Sequence, residues 1–413
     1  MKRTPIEALL TPFVREGASG RSAHAIRPGT VEIAGRNIPI YIDAFWTARQ
    51  RQANRIHEVP YRACFKPQLP RFFIELFSEP GDLVYDPFSG RGTTVLEAAL
   101  LDRNIVSNDS NPLSGILCSA RLFPPNRAEL EARLALVFAG GKSFSKHDLS
   151  MFYHPKTESE IGSLRSYLHE RRADNREDEL DRWIRMVATS RLTGHSSGFF
   201  SVYTLPPNQA VSRERQLIIN TKRKQQPEYR DTRKLILKKT GSLTGGITED
   251  TSQRLRRTGR KALFLTGDAR ATPEIGDSTV QLTVTSPPFL DVVQYAQDNW
   301  LRCWFNGIDP DEVASRITVP RSIRTWREVM GAVFVELFRI TRPGGTVAFE
   351  VGEVRGGRVK LEETVVPLGL EAGFGCEGIM INQQTFTKTA HIWGVSNNTH
   401  GTNTNRIVIF TKD

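Results

Sequence analysis

The chain has few cysteines and no long apolar run. Its 413 residues include four cysteines, and no two of these form a Cys-x-x-Cys pair. The sequence therefore predicts neither a disulfide framework nor a structural zinc site. No apolar run is long enough for a membrane-spanning helix, and none follows the basic start at residues 1–5. We accordingly expect no membrane association, no signal peptide and a cytoplasmic location.

Positive charge is in excess, and it is concentrated in one segment. The formal net charge is +11, and a hydrophobic content of 39% is enough to build a globular core. Residues 213–261 contain 15 Lys and Arg against five Asp and Glu. Such clustering is expected of a surface that binds nucleic-acid phosphates; a solvated, disordered linker is the alternative. The candidate phosphate-contacting residues are Arg254, Arg256, Arg257, Lys222, Arg223 and Lys224.

The hydrophobic pattern predicts strands that alternate with helices. Residues 82–86, 94–102 and 104–109 read as strand, helix and strand around a glycine-rich turn, which is a βαβ unit with a right-handed parallel crossover. Further strands are expected at 261–266, 280–285, 345–351 and 406–410. The segment between the second and third strands reads as helical to about Leu192 and as irregular, aromatic and basic from Gly194 onward. The sequence thus predicts an α/β sheet interrupted by one long insertion.

A glycine-rich loop at residues 86–94, Asp-Pro-Phe-Ser-Gly-Arg-Gly-Thr-Thr, joins the first of these strands to its helix. Glycine allows a tight turn and a close approach to a ligand, and the new helix offers free N–H groups. Asp109 ends the next strand, where an acid can accept hydrogen bonds from ribose hydroxyls. A third glycine is missing and Asp86 would repel a pyrophosphate, so the loop favours a nucleoside cofactor with a cationic group. The alternative is that both acids only cap turns.

A second motif, Thr-Ser-Pro-Pro-Phe at residues 285–289, follows a later apolar strand. Consecutive prolines fix the backbone and leave carbonyls without local N–H partners. Those carbonyls and the Ser286 hydroxyl can accept the hydrogens of an exocyclic amine. Phe289 offers a flat face on which an extruded base can stack. An ordinary proline-rich strand exit is the alternative.

The two motifs resemble those of the DNA amino-methyltransferases. The loop at 86–94 is similar to the cofactor motif of that family, and residues 286–289 to its catalytic tetrapeptide. The Ser-Pro-Pro-aromatic form is typical of enzymes that make N4-methylcytosine, although some adenine enzymes carry it. The resemblance implies a Rossmann-like class I S-adenosylmethionine-dependent methyltransferase sheet with a large helical or irregular insertion. It implies S-adenosyl-L-methionine as the cofactor, bound by Pro67, Asp86, Phe88, Gly90, Gly92, Thr93, Thr94, Asp109 and Asp268.

The resemblance also divides the chain. It covers about 61–125 and 262–413, which we assign to the catalytic domain, while 1–60 form an N-terminal segment. Residues 126–261 are then an inserted basic region, expected to contact DNA or to recognise the target. The cofactor motif precedes the catalytic motif, and in that order the family carries its recognition domain after the third strand; here the insertion follows the second. Neither Cys118 nor Cys303 follows a proline, so covalent attack on cytosine C5 is disfavoured.

The sequence therefore predicts methylation of the cytosine N4 amine in double-stranded DNA after base flipping. The expected catalytic residues are Ser286, Pro287, Pro288 and Phe289. Alternatives are N6-adenine methylation, methylation of an RNA amine, and a DNA-binding subunit without catalysis. A cognate restriction endonuclease is a further expected partner. No metal is assigned, because the histidines lack partners at ligand spacing.

Overall fold

The structure is a computed structural model that describes residues 27–43, 45, 53–61, 64–139, 147–204, 210–288, 298–316, 322–354, 359–383 and 404–413. The strands are β1 (Arg27–Ile33), β2 (Arg36–Asp43), β3 (Leu83–Asp86), β4 (Asn104–Asn108), β5 (Leu263–Leu265), β6 (Val280–Thr285), β7 (Thr341–Val354), β8 (Val359–Lys360), β9 (Gly375–Gln383) and β10 (Thr404–Thr411). The helices are α1 (Gln68–Phe77), α2 (Thr93–Leu100), α3 (Leu113–Ser119), α4 (Arg127–Ala139), α5 (Pro155–Ala173), α6 (Glu179–Arg191), α7 (Arg213–Arg223), α8 (Thr232–Thr244), α9 (Glu249–Gly259), α10 (Trp300–Asn306), α11 (Pro310–Arg316), α12 (Ile323–Ile340) and α13 (Glu362–Ala372).

The strands of the described residues form one mixed sheet in the order β1-β2-β9-β10-β7-β6-β3-β4-β5, with β8 paired to β7. From β7 to β5 the neighbours are parallel, whereas β10 runs antiparallel to both β7 and β9. The parallel strands are linked through helices, as a βαβ crossover requires. The Rossmann-like α/β sheet that the sequence predicts is confirmed.

Apolar side chains cover both faces of the sheet. One face packs against α12 and α13, where Phe334 and Val365 are fully buried, and the other against α1 and α2 through Phe73 and Val95. Because a parallel sheet is covered on both faces, its strands read as nearly continuous apolar runs. The polar positions that interrupt such runs then stand out as candidates for function.

The inserted helices α4 to α8 have an apolar core of their own, which includes Leu134, Leu164 and the fully buried Trp183. The expectation of irregular backbone from Gly194 to Arg260 is wrong for 213–259, where α7, α8 and α9 lie, whereas the described residues 194–204 form only bends, turns and an isolated bridge. Each of the three begins at a Ser, Asp or Thr whose side chain accepts a backbone N–H of the first turn. The linker alternative is thereby excluded for residues 210–261.

Two features are absent from the part of the chain that the structure describes. None of its helices combines the length and the apolarity that crossing a membrane requires. Its His, Cys, Asp and Glu side chains form no group of three or more that could hold a metal ion.

Candidate active site

The two sequence motifs meet at one edge of the sheet. Because β3, β4, β6 and β7 are parallel, their carboxyl ends share that edge, which is where open α/β sheets bind ligands. Asp86 ends β3 and pairs with Ser107 of β4, while Thr285 ends β6 and pairs with Phe349 of β7. The glycine-rich loop and the Ser-Pro-Pro segment therefore leave the sheet side by side.

A hydrogen bond joins the two motifs directly. The Thr285 hydroxyl donates to Asp86 Oδ1 at 2.6 Å, although the two residues are 199 positions apart in the chain. A second bond runs from the Thr94 hydroxyl, at the start of α2, to the carbonyl of Val284 at 3.0 Å. The loop that should hold a cofactor is thus fixed to the strand that should carry the catalytic residues.

The carboxylate of Asp86 is buried, with 2% of the residue exposed. It accepts hydrogen bonds from the Thr285 hydroxyl and, at 3.2 Å, from the N–H of Phe88. No Lys, Arg or His among the described residues pairs with it. Burial raises the pKa of Asp86 to about 7, even though these donors lower it. A buried carboxylate with neutral donors alone either holds a proton or pairs with a cationic ligand group, so the site fits the cofactor that the sequence predicts.

The carboxylate of Asp109 holds the glycine-rich loop to the end of β4. Asp109 Oδ2 accepts the N–H of Gly90 at 2.8 Å, and Oδ1 accepts the N–H of Asn111 at 2.8 Å. The residue is partly exposed, and desolvation raises the pKa of Asp109 to about 6. An ionised carboxylate has about four acceptor positions. Asp109 can therefore fix the loop and still accept hydroxyl groups of a ligand.

Gly92 is required by the tight turn that the sequence predicts and also by packing beneath the loop. Its φ is +75°, and a Cβ atom at this position would lie 2.2 Å from Cys118 Sγ. The missing side chain would therefore point at α3 and clash with protein atoms. Contact between Gly92 and a cofactor stays a prediction.

We expect Gly92→Ala to lower the free energy of unfolding by about 1–3 kcal/mol, through strain at a left-handed residue and overpacking against Cys118. Urea denaturation measures this. Gly90→Ala is the control, since Gly90 is also left-handed (φ +50°) but its Cβ would lie 3.3 Å from Tyr61. Equal losses in the two variants would contradict the packing argument, and a Cys118→Ala background should restore part of the loss at position 92 only.

The other predicted cofactor residues lie along the same edge or behind it. Pro67 is buried at the start of α1, Thr93 is buried at the start of α2, and Phe88 is half-buried against the apolar core. Asp268 is exposed after β5, where Arg270 Nε donates to it at 2.9 Å and lowers its pKa. Their roles in cofactor binding stay predictions.

The residues of the catalytic motif differ in their hydrogen-bond partners. The Ser286 side chain hydrogen-bonds the carboxylate of Glu350 on β7. The indole of Trp326 donates to the carbonyl of Pro288 at 3.0 Å, which uses one of the two acceptor positions of that carbonyl. The Pro287 carbonyl remains the candidate acceptor. Phe289 lies outside the described residues.

Sequence reasoning missed Glu350. This residue is 6% exposed, and Asn405 on β10 donates an amide hydrogen to its Oε1 atom. Burial raises the pKa of Glu350 to about 7, against the lowering effect of Ser286 and Asn405. The sequence could have indicated Glu350, because an acid inside the apolar run 347–351 has to be buried together with hydrogen-bond partners. Ser286 and Glu350 thus form a hydroxyl–carboxylate pair in which the carboxylate of Glu350 has a pKa near neutral pH.

A buried arginine and a partly buried lysine lie where the inserted helices meet the catalytic part. Burial lowers the pKa of Arg191 to about 10, and repulsion from Arg302 adds to the effect. The pKa of Lys239 is lowered by burial to about 8, with Arg191 contributing, and Glu58 lies 3.7 Å from its amine. Clustered cations of this kind create a positive potential that attracts phosphate.

The six predicted phosphate-contacting residues separate into two groups. The three on α9 have intramolecular partners: Arg254 pairs with Asp250 at 2.8 Å, Arg256 with Glu179 at 2.5 Å and Arg257 with Asp102 at 2.7 Å. Lys222, Arg223 and Lys224, at the end of α7, are exposed. The structure thus gives the α9 arginines a role within the fold. Phosphate contact is untested for all six residues, and the ion pairs of the α9 arginines favour the end of α7 as the contacting group.

Comparisons with known proteins match part of this chain to a DNA methylase family model and to Type II methyltransferases. Residues 33–113 match a family model described as DNA methylase. The Type II methyltransferase M.BsoBI of Geobacillus stearothermophilus is 25% identical over 287 residues, which are 63% of this chain and 55% of that protein. M.MjaII of Methanocaldococcus jannaschii, also a Type II methyltransferase, is 29% identical over 99 residues, 24% of this chain and 18% of that protein. The chain thus spans little more than half, or less, of the length of these curated relatives.

A solved S-adenosylmethionine-dependent methyltransferase of Methanosarcina mazei matches with a TM-score of 0.30 and 10% identity, covering 82% of this chain and 96% of that one.

Proposed function

We propose that the chain, whose residues 33–113 match a family model described as DNA methylase, transfers a methyl group from S-adenosyl-L-methionine to an exocyclic amine of a base in duplex DNA. The observation that carries this proposal is the hydrogen bond between Thr285 and Asp86. It sets a carboxylate suited to a cationic cofactor beside a segment suited to an amine. Methyl transfer requires donor and acceptor to be aligned in this way.

The residues at the carboxyl edge would hold the cofactor. Asp86 supplies a buried negative charge for its cationic part, and Asp109 supplies acceptors for its ribose. Gly90, Gly92, Thr93 and Thr94 shape the loop between these two acids. When bound, S-adenosyl-L-methionine supplies a methyl group that its sulfonium has already activated. The protein then has to orient the amine and accept one proton.

Ser286 and the Pro287 carbonyl would orient the target amine by accepting its two hydrogens. Accepting them concentrates electron density on the amine nitrogen and directs its lone pair. Because Ser286 is hydrogen-bonded to Glu350, the proton lost by the amine has a path through the hydroxyl to that carboxylate. An acceptor with a pKa near 7 is suited to this step at neutral pH. Phe289 would stack on the base after its extrusion from the duplex.

The target base in this proposal is cytosine, methylated at N4. Its support is the Ser-Pro-Pro-Phe form of the motif at residues 286–289. N6-methylation of adenine uses the same geometry, because both bases present an exocyclic amine, and is the alternative. Methylation of an RNA amine is a more distant one. The insertion at 126–261, with its buried cations, would bind the DNA around the extruded base. A restriction endonuclease of the same specificity is a proposed partner protein.

The test is expression in a host that lacks DNA methylation, followed by mass spectrometry of digested genomic DNA. We expect N4-methylcytosine, and its absence from cells that express Ser286→Ala. N6-methyladenine would move the proposal to adenine without changing the mechanism. In vitro, duplex DNA and tRNA are compared with radiolabelled cofactor. Labelling of tRNA alone, or of neither substrate while the cofactor binds, would overturn DNA methylation.

A further inference from the structure

Helix α7 exposes apolar and basic side chains together. Leu217 and Ile218 are 53% and 56% exposed, which makes them two of the most exposed large hydrophobic residues described. Arg215, Ile218 and Lys222 follow at spacings of three and four, so they share one face of the helix. Leu217 points about 100° away from Ile218 around the helix, and the exposed acid Glu214 lies near both at helical spacing. The exposed half of α7 thus combines two aliphatic side chains with an excess of positive charge, which makes it a candidate binding surface.

The helix is fixed in position by its other face. Gln216 and Ile219 are buried, the Gln216 amide donates to the carbonyl of Tyr203 at 3.0 Å, and Asn220 donates to the carbonyl of Met151 at 2.8 Å. The Ser212 hydroxyl caps the first turn by accepting the N–H of Arg215 at 3.2 Å. The exposed face of α7 is therefore presented by a rigid element.

Helix α7 is also joined to the segment that follows the catalytic motif. The indole of Trp300 donates to the carbonyl of Val211 at 3.0 Å, and the N–H of Ala210 donates to the carbonyl of Asp298 at 2.9 Å. The guanidinium of Arg213 lies 6.0 Å from the centre of the Trp300 ring. The start of α7 is thus attached to the chain shortly after residues 286–289.

Helix α9, the other basic helix of the insertion, lies elsewhere. Arg254 donates to the carbonyl of Leu100 at 3.0 Å, and Arg257 pairs with Asp102. Leu100 ends α2, whose opposite end begins at the glycine-rich loop. An eight-residue helix is about 12 Å long, so α9 contacts the end of α2 that is distant from the candidate site.

The cations of the two helices differ in their partners as well. No carboxylate of a described residue lies within ion-pair distance of Arg215, Lys222 or Lys224, whereas both Arg254 and Arg257 have one. Cations without acidic partners can neutralise the phosphates of a ligand without first breaking an ion pair.

We propose that the exposed face of α7 lies against the duplex beside the target base, with Arg215 and Lys222 on phosphates and Leu217 and Ile218 against sugar or base edges. This inference rests on the proposed function, because it names the surface that the DNA substrate contacts. The excess positive charge of the face favours duplex DNA as its occupant, and the contacts at Asp298 and Trp300 attach the start of α7 to the part of the chain that follows the catalytic motif in sequence. Phosphate contacts would fix the register of the target base relative to Ser286.

The experiment compares two double variants that each remove two positive charges. Arg215→Gln with Lys222→Gln changes α7, and Arg254→Gln with Arg257→Gln changes α9. Binding of an unmethylated duplex to the full chain is measured by fluorescence anisotropy over a series of salt concentrations. Each lost phosphate contact reduces the log–log salt slope by about 0.9, so we expect a reduction of about 1.8 for α7. The α9 variant should keep its slope but melt at a lower temperature. Equal changes in slope, or a change for α9 alone, would overturn the assignment.

The apolar pair is tested separately with Leu217→Ser and Ile218→Ser. Both side chains are largely exposed, so the melting temperature should fall only slightly, through the lower helix propensity of serine, while binding of the duplex should weaken at least several-fold. Sedimentation of the wild-type chain tests a second copy as the occupant instead. Self-association that these variants abolish, with unchanged DNA binding, would overturn the inference. Normal methylation by all α7 variants would defeat this inference alone, whereas a chain that methylates no DNA would defeat the proposed function itself.

Discussion

Glu350→Gln is expected to lower the single-turnover rate of DNA methylation by about 10²-fold or more, with the cofactor affinity unchanged. The expected size is that of removing a general base. Glutamine keeps the shape of the side chain and a carbonyl that can accept hydrogen bonds from Ser286 and Asn405. What it removes is the proton acceptor. Rapid-quench measurement at saturating cofactor and DNA isolates this step from product release.

The pKa of Glu350 also predicts how the methylation rate changes with pH. Because the pKa of Glu350 is raised to about 7 by burial, the carboxylate is mostly protonated below that pH and mostly ionised above it. If the ionised form accepts the proton, the wild-type single-turnover rate rises with pH and levels off above about 7. The Glu350→Gln variant should lose this rise. Ser286→Ala should slow the reaction at all pH values, since it removes the hydroxyl through which the proton passes.

Glu336→Gln is the matched control. Glu336 is a buried acid at 8% exposure, but it pairs with Arg339 at 2.6 Å on α12, and this partner lowers the pKa of Glu336 to about 2. Its substitution should reduce stability and leave the shape of the pH–rate profile unchanged. A normal rate in Glu350→Gln, or the same pH–rate profile as the wild type, would remove Glu350 from the proposed mechanism.

The parts of the site that the sequence predicts are those encoded by neighbouring residues. Asp86, the glycine-rich loop and Asp109 lie within one βαβ unit, whose strand, turn and helix are each written locally. The proximity of Asp86 and Thr285 follows from one further rule, that parallel strands end at a common edge. No such rule places Glu350, since its contact with Ser286 depends on the pairing of β6 with β7 and on Asn405 from β10.

The insertion shows a second limit of sequence reasoning. Helices α7, α8 and α9 carry so many charged residues that their apolar period is weak, and cap residues such as Ser212 and Thr248 were the stronger signal. The count of positive charges between 213 and 261 also treats all arginines alike. Only the fold separates Arg257, which pairs with Asp102, from Lys222 on the exposed face of α7.

Asp86→Asn is expected to weaken binding of S-adenosyl-L-methionine by about 2–4 kcal/mol, roughly 30- to 1000-fold, because it removes the charge that pairs with the cationic cofactor in a buried site. Asparagine keeps an oxygen that can accept from the Thr285 hydroxyl and the Phe88 N–H. The loop should therefore retain its shape. Isothermal titration calorimetry of the cofactor alone measures the loss without DNA.

The raised pKa of Asp86 makes two further outcomes testable with the same variant. Burial raises that pKa to about 7, so the free protein holds the proton at lower pH, and wild-type cofactor affinity should fall as the pH drops below about 7. When folding raises the pKa of an acid, the protein loses stability as the pH rises from the pKa of the unfolded chain to that of the folded protein. Asp86→Asn removes this loss, so the variant should melt above the wild type at pH 8 without cofactor. Asp82→Asn is the control, since it makes the same change at the opposite end of the β3 segment, where Asp82 pairs with Arg342 at 3.1 Å. Affinity that is independent of pH in the wild type, or an equal loss in both variants, would show that Asp86 does not hold the cationic part of the cofactor.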